Sequence, residues 1–282
     1  MRPAEAFHFH GMPAVRWRSP DGASAIATMH GAQLLSWVPA QGEECLYLSP
    51  LSPFEAGRPI RGGVPVIFPQ FADRGPLAQH GFARVQAWSL ASASESVDTS
   101  SVTFALESSA QTLALWPGVF RLKLTITIGG PNLEVQLRVT NKGTDPFAFT
   151  SALHTYLRIS EATARLRGLQ GGRYLIRGAN GTDVESREMV TAEEAIDRVY
   201  FATPPSTQLE DAGRVLRIGQ RGFTDTVVWN PGRERTAQMV DMPPDDFRRM
   251  LCVEAASIEP PVSLNSGAAW VGSQSIAISY NG

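Results

Sequence analysis

The sequence predicts an all-β protein, one large antiparallel sandwich taking residues 1–282 as a single domain. Three observations carry this reading. Residues 120–128 and 133–140 alternate strictly between apolar and polar side chains on either side of Gly129-Gly130-Pro131-Asn132, the pattern of a hairpin with one packed and one solvated face. Short strand-like runs recur from end to end, without the long helical periods that an α/β nucleotide fold places between its strands. No linker-like break or repeat divides the chain, and 43% hydrophobic with 18% charged residues over 282 positions suffices for a large core.

Taken in order, His8 and His10 flank Phe9 at a spacing that puts both on one strand face. With no third ligand nearby they read as surface residues rather than a metal site. Residues 25–38 hold broken apolar runs around Gly31, predicting two short strands and a turn, and 44–48 predict another strand that Ser49 and Pro50 end. Residues 60–71 and 79–88 contain Gly62, Gly63, Pro65 and Pro69, which exclude a helix and leave two rigid extended pieces around exposed turns. Neither GxxxxGK[ST] nor GxGxxG follows the glycines, so no phosphate loop is predicted. The same stretch carries Arg61, Gln70, His80 and Arg84, side chains suited to the rim of a cleft.

Residues 91–101 read as a polar connection. Beyond the hairpin, 162–167 and 173–177 alternate again, and the acidic stretch 184–195 predicts a short helix. Strands are predicted at 199–202, 208–210, 213–218, 226–230, 237–240, 249–258 and 274–280.

Composition narrows the function classes. A formal net charge of −2 and the absence of basic runs give no electrostatic case for nucleic acid. Two cysteines, Cys45 and Cys252, make neither a disulfide framework nor a metal cluster, and Cys252 reads as core. The N-terminus lacks the basic start and apolar run of a secretory signal, and no window reaches the ~18 apolar residues of a membrane span. The expected location is the cytoplasm, the expected partner a small molecule, and a monomer is allowed.

Two strands carry the chemistry. In residues 148–160, Phe149, Leu153, Leu157 and Ile159 fall on one face, while His154 and Tyr156 fall on the other among small and polar neighbours. That second face suits the wall of a cavity; a buried histidine satisfied by a hydrogen bond is the alternative. Residues 250–258 are apolar on both faces except for Glu254. A lone buried carboxylate is so costly that it must be paired, hydrogen-bonded or turned to a polar cavity, with a buried ion pair to arginine as the competing reading. If both strands line one groove, His154 and Glu254 form a rigid acid and base pair.

The motifs RGGVPVIFP at 61–69, QHGFAR at 79–84, LHTY at 153–156, TDTVVWNP at 224–231 and CVE at 252–254 together resemble the aldose 1-epimerase (galactose mutarotase-like) family. They are most similar to its glucose-6-phosphate 1-epimerase (D-hexose-6-phosphate mutarotase) branch, and the likeness spans nearly the whole chain. Leu153 and Leu157 depart from the phenylalanines often seen there. The resemblance implies a β-supersandwich with an open hexose-binding cleft and no metal or organic cofactor. It implies catalysis by His154 and Glu254, sugar binding by Asp225 and His80, and phosphate contacts from Arg61 and Arg84.

Interconverting anomers requires a proton removed from the C1 hydroxyl and one delivered to the ring oxygen, then rotation of the aldehyde and closure from its other face. Glu254 is expected as the base and protonated His154 as the acid. Trp229 either stacks on a sugar face or scaffolds the cleft. Competing readings are a free-aldose mutarotase acting on galactose or glucose, a glycoside hydrolase using Asp225 and Glu254, and a non-catalytic carbohydrate-binding module.

Overall fold

A computed structural model describes residues 4–178 and 181–280; residues 1–3, the start of the N-terminal stretch read above, lie outside the described residues. Three antiparallel sheets, of four, eight and nine strands, account for nearly all regular structure. In the nine-stranded sheet the hairpin strands Phe120–Gly129 and Asn132–Asn141 pair from Phe120 opposite Asn141 to Gly129 opposite Asn132. Alternation places Phe120, Leu122, Leu124, Ile126 and Ile128 in the core, and Arg121 and Lys123 outside it.

The eight-stranded sheet is built around Met250–Leu264, which is flanked by Asp225–Asn230 on one side and by Phe147–Leu153 and Tyr156–Arg158 on the other. Leu251, Val253 and Ala255 face a core shared by all three sheets. Cys252, Glu254 and Ala256, out of phase by one residue, face the opposite side. Residues 250–258 of this strand are buried throughout, the setting that the sequence predicts for the lone carboxylate Glu254, whereas 259–261 run on exposed.

Tertiary context alters several local expectations. Residues 184–195 form no helix. They run extended between the short strands Asp183–Val184 and Met189–Thr191, because Glu185 is buried and takes hydrogen bonds from Arg187, Arg198 and the Tyr200 hydroxyl. Residues 237–240 are a turn continuing the helix Gly232–Thr236. The polar stretch 91–101 is mostly an edge strand, Ser89–Glu95, paired only with Ser100–Glu107. Its serine-rich, exposed composition suits an edge that discourages further pairing. A helix at Ala110–Leu115 was not anticipated; Ser109 and Thr112 cap it reciprocally. Residues 44–48 make only isolated bridges, and His10 sits in a turn at φ 49°, off the strand that carries His8.

Gly62 and Gly63, with φ of 123° and 61°, let the RGG segment thread between Leu34 and Leu48. A Cβ at either would strike a backbone carbonyl, of Tyr47 or Leu34. These glycines therefore serve close backbone approach. Among the described residues no helix is long and apolar enough to cross a membrane.

Candidate active site

The covered face of the eight-stranded sheet holds a cavity of about 290 Å³, small-molecule in scale. His154 and Glu254 line it together. The run 148–160 is not one strand but two, broken at His154 and Thr155. There the Thr155 N–H turns back to the Leu153 carbonyl at 2.9 Å, and the His154 N–H donates to Pro65 at 3.0 Å. Thr155 is fastened from the core side: the Val253 N–H donates to its carbonyl at 3.1 Å, and its hydroxyl donates to Gln274.

The break aims His154 at Glu254, with Nδ1 and Oε1 3.2 Å apart. The pair is close but not aligned for a hydrogen bond, and both Nδ1 and Glu254 Oε2 are buried without partners. Such orphaned polar atoms are uncommon in interiors and mark a place built for something other than stability. The imidazole is held by rings: Tyr156 stacks on it at 4.7 Å, and His80 and Trp229 meet it edge-on at 5.5 and 6.0 Å. Burial is the main cause of two opposite shifts, holding the Glu254 carboxyl well above the usual carboxylate range and His154 well below the usual imidazole range. Asp197 adds to the first; His80, Arg84 and Arg61 add to the second.

Arg61 donates to the Tyr156 hydroxyl at 3.0 Å and through Nε to Asp241 at 3.1 Å, so its charge is already compensated. Arg84 differs. Its Nη2 donates to the Gln79 carbonyl at 2.7 Å, its buried Nε has no partner, and among the described residues it pairs with no carboxylate. Burial, with Arg61 nearby, lowers its pKa to about 10. His80, at φ 69°, accepts the Ala72 N–H at Nδ1, which leaves Nε2 as the protonated nitrogen of a neutral ring. Burial, then Arg84, Arg177 and Arg61, pushes its pKa down to about 3.

Two expected residues are not presented to the cavity. Asp225 lies on the same face of the sheet, but its carboxylate accepts the backbone N–H groups of Ala202, Ile258 and Glu259 at 3.3, 2.8 and 3.1 Å. The amide of Gln70 is spent bracing its own loop, through Ala72 and both backbone groups of Leu77. Besides Glu254, the carboxylates that line the cavity among the described residues are Asp197 and Asp241. Asp197 is ion-paired to Arg177 at 3.1 Å and to Arg235 at 3.6 Å. Reasoning from sequence missed it, because in the strand Ile196–Tyr200 it stands next to Arg198 and is not the lone charge that Glu254 is among its neighbours. Trp229 lines the cavity while packing on Tyr156, which makes it part of the wall.

Residues 13–277 match the aldose 1-epimerase family. A protein of Cenchrus ciliaris provisionally named glucose-6-phosphate 1-epimerase is 32% identical over 93% of this chain and 83% of its own. One of the same provisional name from Escherichia coli K12 is 37% identical over 82% of this chain and 79% of its own. The crystal structure of a protein from Salmonella typhimurium, provisionally described as a mutarotase, superposes with a TM-score of 0.91 at 30% identity, covering 99% of this chain and 94% of that one. The chain belongs to the aldose 1-epimerase family.

Proposed function

We propose that this protein is a hexose-6-phosphate 1-epimerase, in which His154 and Glu254 move the two protons of ring opening and closure and Arg84 holds the phosphate. The observation that carries the substrate assignment is Arg84, a half-buried guanidinium with a buried, unpartnered Nε and, among the described residues, no carboxylate partner in the cavity of the proton-transfer pair. An uncompensated cation in a cavity calls for an anion, and a guanidinium binds phosphate oxygens with geometric specificity. Arg61, neutralised by Asp241, supplies an oriented donor rather than net charge. The names of the Cenchrus ciliaris and Escherichia coli relatives support the same substrate.

The chemistry follows from the pair. Either arrangement, neutral carboxyl with neutral imidazole or carboxylate with imidazolium, holds one transferable proton 3.2 Å from its alternative site. One group accepts the C1 hydroxyl proton while the other protonates the ring oxygen, the C1–O5 bond opens, and the roles reverse on closure. Burial favours the neutral pair, in which the Glu254 carboxyl is the acid and His154 the base for the opening direction; the carboxylate–imidazolium pair carries the assignment expected from the sequence, Glu254 as base and His154 as acid. Tyr156, Trp229 and His80 hold the imidazole in plane, as acid–base catalysis at ~2.6 to 3.2 Å requires. A glycoside hydrolase based on Asp225 is disfavoured, because backbone donors occupy that carboxylate.

We read residues 1–282 as one domain, since strands of all three sheets contribute to a single core, and we assign it to the cytoplasm, consistent with two free buried cysteines. The test is anomerisation of glucose 6-phosphate, glucose and galactose side by side at fixed ionic strength, by polarimetry or exchange NMR. Arg84→Ala is expected to lower kcat/KM for the phosphorylated sugar about 10- to 150-fold, the loss of one charge-assisted bond, with little effect on glucose. Equal efficiency on galactose and glucose 6-phosphate, unmoved by that substitution, would replace the assignment with a free-aldose mutarotase.

A further inference from the structure

Cys252 takes no part in the reaction above, yet it lies beside the reacting pair. It alternates with Glu254 on Met250–Leu264, and its cross-strand partner is Tyr156, two residues beyond His154. A ring nitrogen of His154, Cys252 Sγ and a Glu254 carboxylate oxygen all fall within 4.8 Å of one another, and all three residues are buried. His154 Nδ1 and Glu254 Oε2 have no hydrogen-bond partner.

Nitrogen, sulfur and oxygen donors in one cluster are the set that a borderline-soft divalent cation of the zinc class selects. Zinc needs about 2.0 to 2.3 Å to such donors. Three atoms no more than 4.8 Å apart have a point within about 2.8 Å of each, so small side-chain rotations suffice to close the shell. His154 and Glu254 line the cavity, so an ion can reach two of the three donors from it.

We propose that His154, Cys252 and Glu254 form a three-ligand site for Zn²⁺, and that its occupation shuts the enzyme off. As the metal binds, the Cys252 thiol proton leaves and the zinc–sulfur bond forms; the ion takes the His154 ring-nitrogen lone pair and the Glu254 carboxylate that proton transfer needs. The inhibition rests on the assignment of His154 and Glu254 as the proton-transfer pair. The binding of metal does not.

The experiment titrates the full-length protein with Co²⁺ in a non-chelating buffer, reads the thiolate-to-cobalt charge-transfer band, then displaces the cobalt with Zn²⁺ and measures anomerisation. One equivalent is expected, with a thiolate band, four-coordinate visible bands, and inhibition that a chelator reverses. The exposed His8 and His10 cannot produce a thiolate band, which separates surface binding from the buried site. Cys252→Ala is expected to abolish the band and weaken zinc inhibition by more than about tenfold, the least that even an outer-shell partner commands. Its metal-free rate should stay near that of the parent. Should Cys252→Ala not fold, Glu254→Gln replaces it for the cobalt titration, where loss of an anionic ligand weakens binding while the thiolate remains. A folded parent without a thiolate band, or equal zinc sensitivity in Cys252→Ala, overturns the site. A band accompanied by undiminished anomerisation overturns the inhibition and counts against the proton-transfer pair, while a protein that anomerises no sugar yet shows the band keeps the site and loses the proposed function.

Discussion

Asp225 and Glu254 are buried carboxylates on neighbouring strands of one sheet, facing the same side, and they have opposite surroundings. Three backbone N–H groups surround Asp225. Glu254 has one oxygen 3.2 Å from an imidazole that does not align with it and another with no partner. The first environment resembles the anion cradle of a structural residue; the second is what general acid–base chemistry needs, a group whose hydrogen bonds are left for substrate. Burial by itself therefore says little about role. What the carboxylate is allowed to bond decides it.

The largest expected effect tests the Glu254 side. Glu254→Gln and His154→Ala should each lower kcat for anomer exchange by at least ~10²-fold, because each removes a group to which the proposed mechanism assigns a proton transfer in the transition state. Substrate affinity should suffer less for Glu254→Gln, whose shape is kept. Near-normal kcat in Glu254→Gln would move the base elsewhere, with Asp197 as the cavity-lining carboxylate to examine next.

Asp225→Asn sharpens the comparison from the other side. It replaces an acceptor of three donors with an amide that presents one oxygen, so unfolding stability should fall by roughly 1–3 kcal/mol. Measured on folded protein, kcat should change little. Unchanged denaturation with a collapse in kcat would restore Asp225 to the reacting site and break the contrast drawn above.

A smaller effect concerns pH. His80 has a folded pKa near 3 against the ordinary 6.5, so between those values the unfolded chain binds a proton that the folded one does not. Stability contributed by keeping this ring neutral is present above 6.5 and is lost as pH falls toward 3, by up to about 1.4 kcal/mol per pH unit. His80→Asn should flatten that part of the stability profile relative to the parent in denaturant titrations. Parallel profiles for the two proteins would show that the ring is not held neutral by its surroundings.

Much of the architecture was legible because period-2 alternation is local. The hairpin, the two faces of residues 250–258 and the lone Glu254 among them all follow from which neighbours are apolar. The same logic does not single out Asp197 in Ile196–Tyr200, where Arg198 stands beside it. Elements that depend on distant partners were not legible. Glu185 draws 184–195 into an extended path only because Arg198 and Tyr200 reach it, and no local pattern distinguishes that from an acidic helix.

The sequence by itself determined the fold class, the identities of His154 and Glu254 as the reacting candidates, and the cluster of arginine and histidine in 61–84, because residue chemistry and alternation are written residue by residue. Only the tertiary structure decided which of those side chains face the cavity. The break that aims His154 at Glu254 depends on Thr155 being fastened by Gln274 and Val253, about a hundred residues away in the chain. Asp225 is held away from the cavity by backbone donors that another segment brings to it, and Gln70 by the backbone of its own folded loop. Hydrogen-bond satisfaction is a property of the assembled neighbourhood, and it separates a structural carboxylate from a reactive one.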